Sequence, residues 1–114
     1  MNRLNELHQQ AMELADQAFT ARRGEDLATA RSFAHRAYLL EKQAAELSQT
    51  EPTRSVLHRS AATLALDCGE YREAERLVAA ALAGSPPAQI ANELREVLDA
   101  VYKVWDWREQ PVTV

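Results

Sequence analysis

Apolar residues recur at steps of three and four through most of this chain. Leu4, Leu7, Ala11, Leu14, Ala15, Ala18 and Phe19 form the first such stripe. Positions three and four apart share one face of an α-helix, so the pattern predicts a first helix over about Asn2–Arg22. Gly24 ends it, because glycine enters left-handed conformations at least cost. Asp26 then stands where its carboxylate can accept from the free amides of a following helix. That second helix, about Leu27–Ser48, carries Ala30, Phe33, Ala37, Leu40, Ala44 and Leu47 in alternating steps of three and four. Such a seam fits antiparallel packing on the first helix. The short Gly24 turn forces the two side by side, which favours an intrachain contact over a coiled coil with another chain.

The segment Gln49-Thr50-Glu51-Pro52-Thr53 marks the clearest boundary, with Thr50 as a cap and Pro52 tolerated in a first turn. A third helix buries Leu57, Ala61, Leu64 and Cys68 and ends at Gly69. A fourth, about Tyr71–Ala83, turns Tyr71, Ala74, Leu77, Val78, Ala81 and Leu82 inward. Gly84-Ser85-Pro86-Pro87 stops it. Ser85 or Pro86 opens a fifth helix carrying Ile90, Leu94, Val97, Leu98, Val101 and Trp105. Residues 1–107 read as one helical domain. Residues 108–114, with Pro111, read as an irregular tail.

Composition agrees with this pattern. The 114 residues suit a single domain. Only three glycines and four prolines interrupt a chain dominated by alanine, leucine, glutamate, arginine and glutamine, so the fold class is all-α. A formal net charge of −4 disfavours binding nucleic acid through a basic face. Arg22-Arg23, the one adjacent Arg pair, complements the dipole at the end of the first helix. A single cysteine excludes an intrachain disulfide and suits a reducing compartment. The polar N-terminus lacks the apolar core of a signal peptide. No stretch approaches the roughly 18 apolar residues of a membrane span. The expectation is a cytoplasmic protein with no membrane and no nucleic-acid partner.

The stretch Ser55–Pro86 resembles one tetratricopeptide (TPR) repeat. Gly69 and Tyr71 match its turn, Ala74 and Ala81 its points of close helix approach, and Pro86 its stop. The remaining pattern positions fall on His58, Ala61, Ala62, Ala65 and Val78, where alanines replace the leucine, glycine and tyrosine of the first repeat helix. The first hairpin resembles the unit more loosely, with Gly24 at the turn and Ala30 and Ala37 spaced like Ala74 and Ala81. Its alanines stand about ten residues too far from their equivalents for the period of roughly 34. The resemblance implies a five-helix TPR-like stack of two antiparallel hairpins plus a C-terminal capping helix. It also implies a scaffold for other proteins, with no chemistry of its own. Arrays of this kind usually need about three repeats, so either the fifth helix or a second chain, as a homodimer, covers the open face.

Candidate chemistry is sparse. His8, His35 and His58 sit on three predicted helices, and no two have the spacing of a helical metal pair. They read as surface or flanking residues. Arg31-Ser32-Phe33-Ala34-His35 and Arg54-Ser55-Val56-Leu57-His58 resemble the Arg…His motif of HEPN-type helical ribonucleases, with a shorter spacing than that motif. Cys68, on an apolar stripe beside a turn, reads as a buried structural thiol. Glu70, Glu73 and Glu75 alternate with Arg72 and Arg76 as solvated pairs worth a few tenths of a kcal/mol. No catalytic residue, cofactor or metal site emerges.

TPR domains that capture acidic C-terminal peptides use a clamp of lysine, asparagine and arginine. The corresponding positions here hold Arg59 and Thr63 in the second unit and Ala15 and Phe19 in the first. One basic residue makes no clamp, so a peptide groove between the first and third helices would be more apolar. Trp105 continues the core stripe, whereas Trp107, two residues on, leaves it and is free to dock on a partner. Candidate protein-binding residues are therefore Phe19, Arg59, Thr63 and Trp107. The expected function is a non-catalytic protein–protein interaction module, an adaptor or scaffold for a protein or peptide. The alternatives are a HEPN-type RNA-acting enzyme and a structural subunit that associates with itself.

Overall fold

The computed structural model describes residues 2–108, with side chains through residue 105. Five helices follow in order: α1 (Arg3–Arg23), α2 (Leu27–Leu47), α3 (Thr53–Asp67), α4 (Tyr71–Leu82) and α5 (Ala88–Arg108). Among the described residues all regular secondary structure is helical. Each helix packs on the next, and α3 also packs on α5, giving an all-α bundle.

Local chemistry sets the helix ends. The Asn2 side chain accepts from the Leu4 amide at 2.8 Å and starts α1. Asp26 accepts from the Thr29 amide at 3.1 Å and starts α2, as its sequence position predicts. Those Thr29 hydrogen bonds hold the Asp26 carboxyl below its ordinary range. Thr50 does not cap α3 with its side chain. Glu51 does this work instead, accepting from the Ser55 amide at 3.0 Å and its hydroxyl at 2.7 Å. The α5 helix starts beyond both prolines and continues to Arg108, one residue into the segment read as tail.

Two turns close by the same hydrogen-bond scheme. After α3, Gly69 N–H donates to Leu66 O and Glu70 N–H to Ala65 O, at 3.1 and 2.8 Å. After α1, Glu25 N–H donates to Arg22 O and Asp26 N–H to Ala21 O, at 3.0 and 2.9 Å. This is the Schellman closure, whose C′ residue is left-handed. Gly69 fills that place with φ 85°. In the first turn the left-handed residue is Glu25, φ 61°, while Gly24 keeps φ −83°. The expectation for Gly24 thus fails by one position.

Alanine dominates the core. Ala11, Ala37, Ala44, Ala61, Ala62, Ala65, Ala74 and Ala81 are all fully buried. Small side chains at facing positions let helices approach closely. The main cluster draws residues from all five helices, with Tyr38, Leu77, Val78, Leu94 and Val101 as its larger members. A second one joins Leu7, Ala44, Ala45 and Leu57. The predicted α2 seam is correct in Ala30, Ala37 and Ala44 but too narrow. Ala34, Tyr38, Glu41 and Ala45 are buried as well, because α2 lies between α1 and α3. Two stripe residues leave the core: Leu47 is 50% exposed and Phe19 60%.

Two histidines depart from the surface reading. His58 is buried, and its Nδ1 lies 2.7 Å from Arg54 O. A carbonyl only accepts, so Nδ1 carries the proton. On α1, half-exposed His8 places Nδ1 2.9 and 3.0 Å from the two carboxylate oxygens of Glu41, whose side chain is wholly buried.

Candidate functional site

Residues four apart line up along a helix, so the outer side of α2 presents two adjacent rows. One is Leu27, Arg31 and His35; the other is Ala28, Ser32 and Arg36. With Cys68 from the α3–α4 turn they line a groove of about 590 Å³. Leu27 is 67% exposed there. No carboxylate is among the lining residues.

The basic side chains of this groove are positioned by specific contacts. Arg31 Nε donates to Cys68 O at 3.0 Å, at the C-terminal end of α3. Carbonyls there carry the negative end of the helix dipole and favour a cation. The Arg31 guanidinium lies over Gly69, where a β-carbon would collide with it. Gly69 thus suits the turn by its positive φ, and a β-carbon there would push the flexible end of Arg31 aside. Arg36 lies over the Phe33 ring, 5.7 Å from its centroid. The His35 ring is tilted against Tyr38 with centroids 6.0 Å apart. Cys68 is buried as expected, its Sγ 3.4 Å from Ala65 O. Burial pushes its thiol pKa up, which keeps it in the protonated, non-nucleophilic form.

Farther along α2 a polar network ties that helix to α4. Tyr38 OH and Lys42 Nζ both donate to Glu73 Oε1 at 2.8 Å, and Arg76 donates to Glu73 Oε2. Lys42, then Tyr38 and Arg76, hold the Glu73 carboxyl down at about 2. Burial, then the bond to Glu73, pushes the Tyr38 phenol above its ordinary range. Glu73 is therefore a node between helices and not one more solvated pair.

The residues expected to bind a partner do not assemble into one site. Phe19 is exposed on α1 with Arg23 over its ring, 5.9 Å from the centroid. On α3, Arg59 forms an ion pair with Glu93 of α5. Thr63 Oγ1 donates to Arg59 O at 3.0 Å. None of the three lines the α2 groove. The Trp107 side chain lies outside the described residues. Trp105 is half-buried, stacked on Tyr71 at 6.4 Å with Arg72 over its ring at 5.3 Å.

The two Arg…His segments prove to be equivalent in a way that spacing alone does not reveal. Arg54 Nη2 donates to Ala80 O at 3.1 Å, near the end of α4 and against Gly84. Arg31 does the same at the end of α3 against Gly69. Each arginine therefore caps the C-terminus of a different helix. The first segment gives Arg31, Ser32 and His35 to the α2 groove, whereas the second gives only His58 to a separate pocket beside Lys42 and Glu73. Leu27 and Arg36 line the groove without belonging to any sequence motif. The available signal was the row spacing of 27, 31 and 35 beside 28, 32 and 36, on the face opposite the apolar seam.

Among the described residues no group of three His, Cys, Asp or Glu side chains could hold a metal ion. No described helix is long and apolar enough to cross a membrane. Compared with models of known protein families, with curated proteins and with solved structures, the chain matches none.

Proposed function

We propose that this chain is a non-catalytic protein-interaction module, an adaptor or scaffold, and that a segment of a partner protein docks on the α2 groove. The observation that carries this reading is Leu27, 67% exposed in a groove bordered by Arg31, His35 and Arg36. Arginines are enriched where proteins meet, and the buried centre of such a patch is more apolar than its polar rim. The buried Cys68 thiol lies against Ala65 O and stays protonated, which argues against it as a nucleophile in the groove. In this reading the helices form a TPR-like stack in a reducing, cytoplasmic setting, with a second copy among its partners. Support for the stack comes from the wholly buried Ala74 and Ala81 and from α3 packing on both α4 and α5.

A photo-crosslinking residue at Ser32, used in cells, tests the reading. Crosslinking should give a defined partner that, once purified, binds the chain directly and is lost with Leu27→Asp. Capture that is indifferent to Leu27→Asp would overturn it. One observation favours a second reading, a HEPN-type RNA-acting enzyme: Arg31 and His35 line the same groove. That reading requires RNA cleavage by the purified chain and its loss in His35→Ala.

A further inference from the structure

We infer that the α2 groove takes an acidic peptide segment with one apolar side chain, an inference that rests on the protein-interaction reading above. The groove has two chemically different ends. Leu27 and Ala28 form an apolar platform at the start of α2, and Arg31, Ser32, His35 and Arg36 follow it. Along the helix axis these positions cover about 13 Å at 1.5 Å per residue. An extended peptide covers that distance with about four residues at ~3.3 Å each. The ligand is therefore short: an apolar residue over Leu27, with carboxylates about two and about four positions away, opposite Arg31 and Arg36.

Charge and preorganisation select the acidic class. The groove lining holds two arginines, a histidine and no carboxylate in a chain whose net charge is −4. Asp67 lies in the adjoining pocket beyond Leu27 and Arg31, so the positive end is the one at His35 and Arg36. Such a local field attracts short anions, while the negative remainder repels long polyanions. No Phe, Tyr or Trp lines the groove, which leaves only His35 and the arginine planes for base stacking, so RNA is the competing ligand to test. Arg31 is already fixed by Cys68 O and Arg36 lies against Phe33, so binding a carboxylate freezes little additional motion. The site is distinct from the α3 position of Arg59, whose charge is matched by Glu93.

Fluorescence anisotropy with the whole purified chain tests this. The probes are short fluorescein-labelled peptides with Asp and Glu flanking one Leu. Controls replace Leu by Ala or the acids by Lys, and a labelled single-stranded RNA is run in parallel. The acidic Leu peptide should bind, more weakly at higher salt. Arg36→Glu and Leu27→Asp, both on exposed positions, should each weaken it by about tenfold or more. If the lysine peptides bind as well as the acidic ones, the acidic class is wrong and the interaction reading stands. If no peptide binds while the Ser32 crosslink persists, the inference falls alone. Preferred binding of the RNA, or absence of both peptide and crosslinked partner, overturns the inference and the reading together.

Discussion

Glu25 and Gly69 occupy the same place in two helix-ending turns, yet only one of them is glycine. Both are left-handed, with φ 61° and 85°. A residue with a β-carbon is strained there by about 1–2 kcal/mol, whereas glycine is not. Glu25→Gly should therefore stabilise the chain by about 0.5–1 kcal/mol, after the extra freedom glycine has when unfolded is subtracted. Gly69→Ala should destabilise by about 1–2 kcal/mol through this strain, while the flexible end of Arg31 swings aside. Thermal unfolding of the two variants checks both signs. A Glu25→Gly variant with a lower melting temperature would refute the assignment of strain. Sequence alone pointed to Gly24 because glycine is the usual C′ residue; the hydrogen bonds that end α1 place C′ one residue later. His8 and Glu41 were equally hidden. A histidine and a glutamate 33 positions apart carry no local signal, and a glutamate in an apolar seam reads as a solvent-facing interruption.

Between elements, α2 is held by alanine packing on either side and by the Glu73 network to α4. Helix number and approximate bounds were readable because a periodic stripe and a capping residue report each helix independently. The second buried side of α2 was not, since Ala34, Tyr38 and Ala45 fall between the strict three-four steps. The network has a pH signature. The Glu73 carboxyl lies at about 2 when folded, below its ordinary value of about 4.5. A depressed carboxyl contributes its full stabilisation above the unfolded pKa and loses it as pH falls through the folded one. Stability from this node should thus decline from about pH 4.5 down to about pH 2. Its side chain is 20% exposed and screened by water, so the contribution is about 1 kcal/mol. Urea denaturation of the wild type and Glu73→Gln across that range should give curves that converge at low pH. A constant gap between them would show that Glu73 does not titrate in this way.

At the level of the whole molecule, one core cluster reaches all five helices, and α5 enters it through Leu94 and Val101. The groove, by contrast, is assembled from the outer rows of α2 and from Cys68, more than thirty residues downstream. Each of those rows looks like an ordinary solvated helix face until the α3–α4 turn is placed beside it. The core and the site therefore respond differently to mutation. Leu94 is wholly buried, and Leu94→Ala should cost about 2–5 kcal/mol through lost burial and a residual cavity. Because the cluster is continuous, that loss should appear as one cooperative transition, with tryptophan fluorescence and far-ultraviolet circular dichroism coinciding. Glu93→Ala, the neighbouring change, removes the partly exposed ion pair to Arg59 and a long, exposed bond from Gln89, and should cost under about 1 kcal/mol. Separate transitions for the two probes in Leu94→Ala would mean that α5 unfolds from an independently stable α1–α4 body. In that case the α2 groove would keep its ligand after α5 had melted, and binding measured through the transition would reveal it.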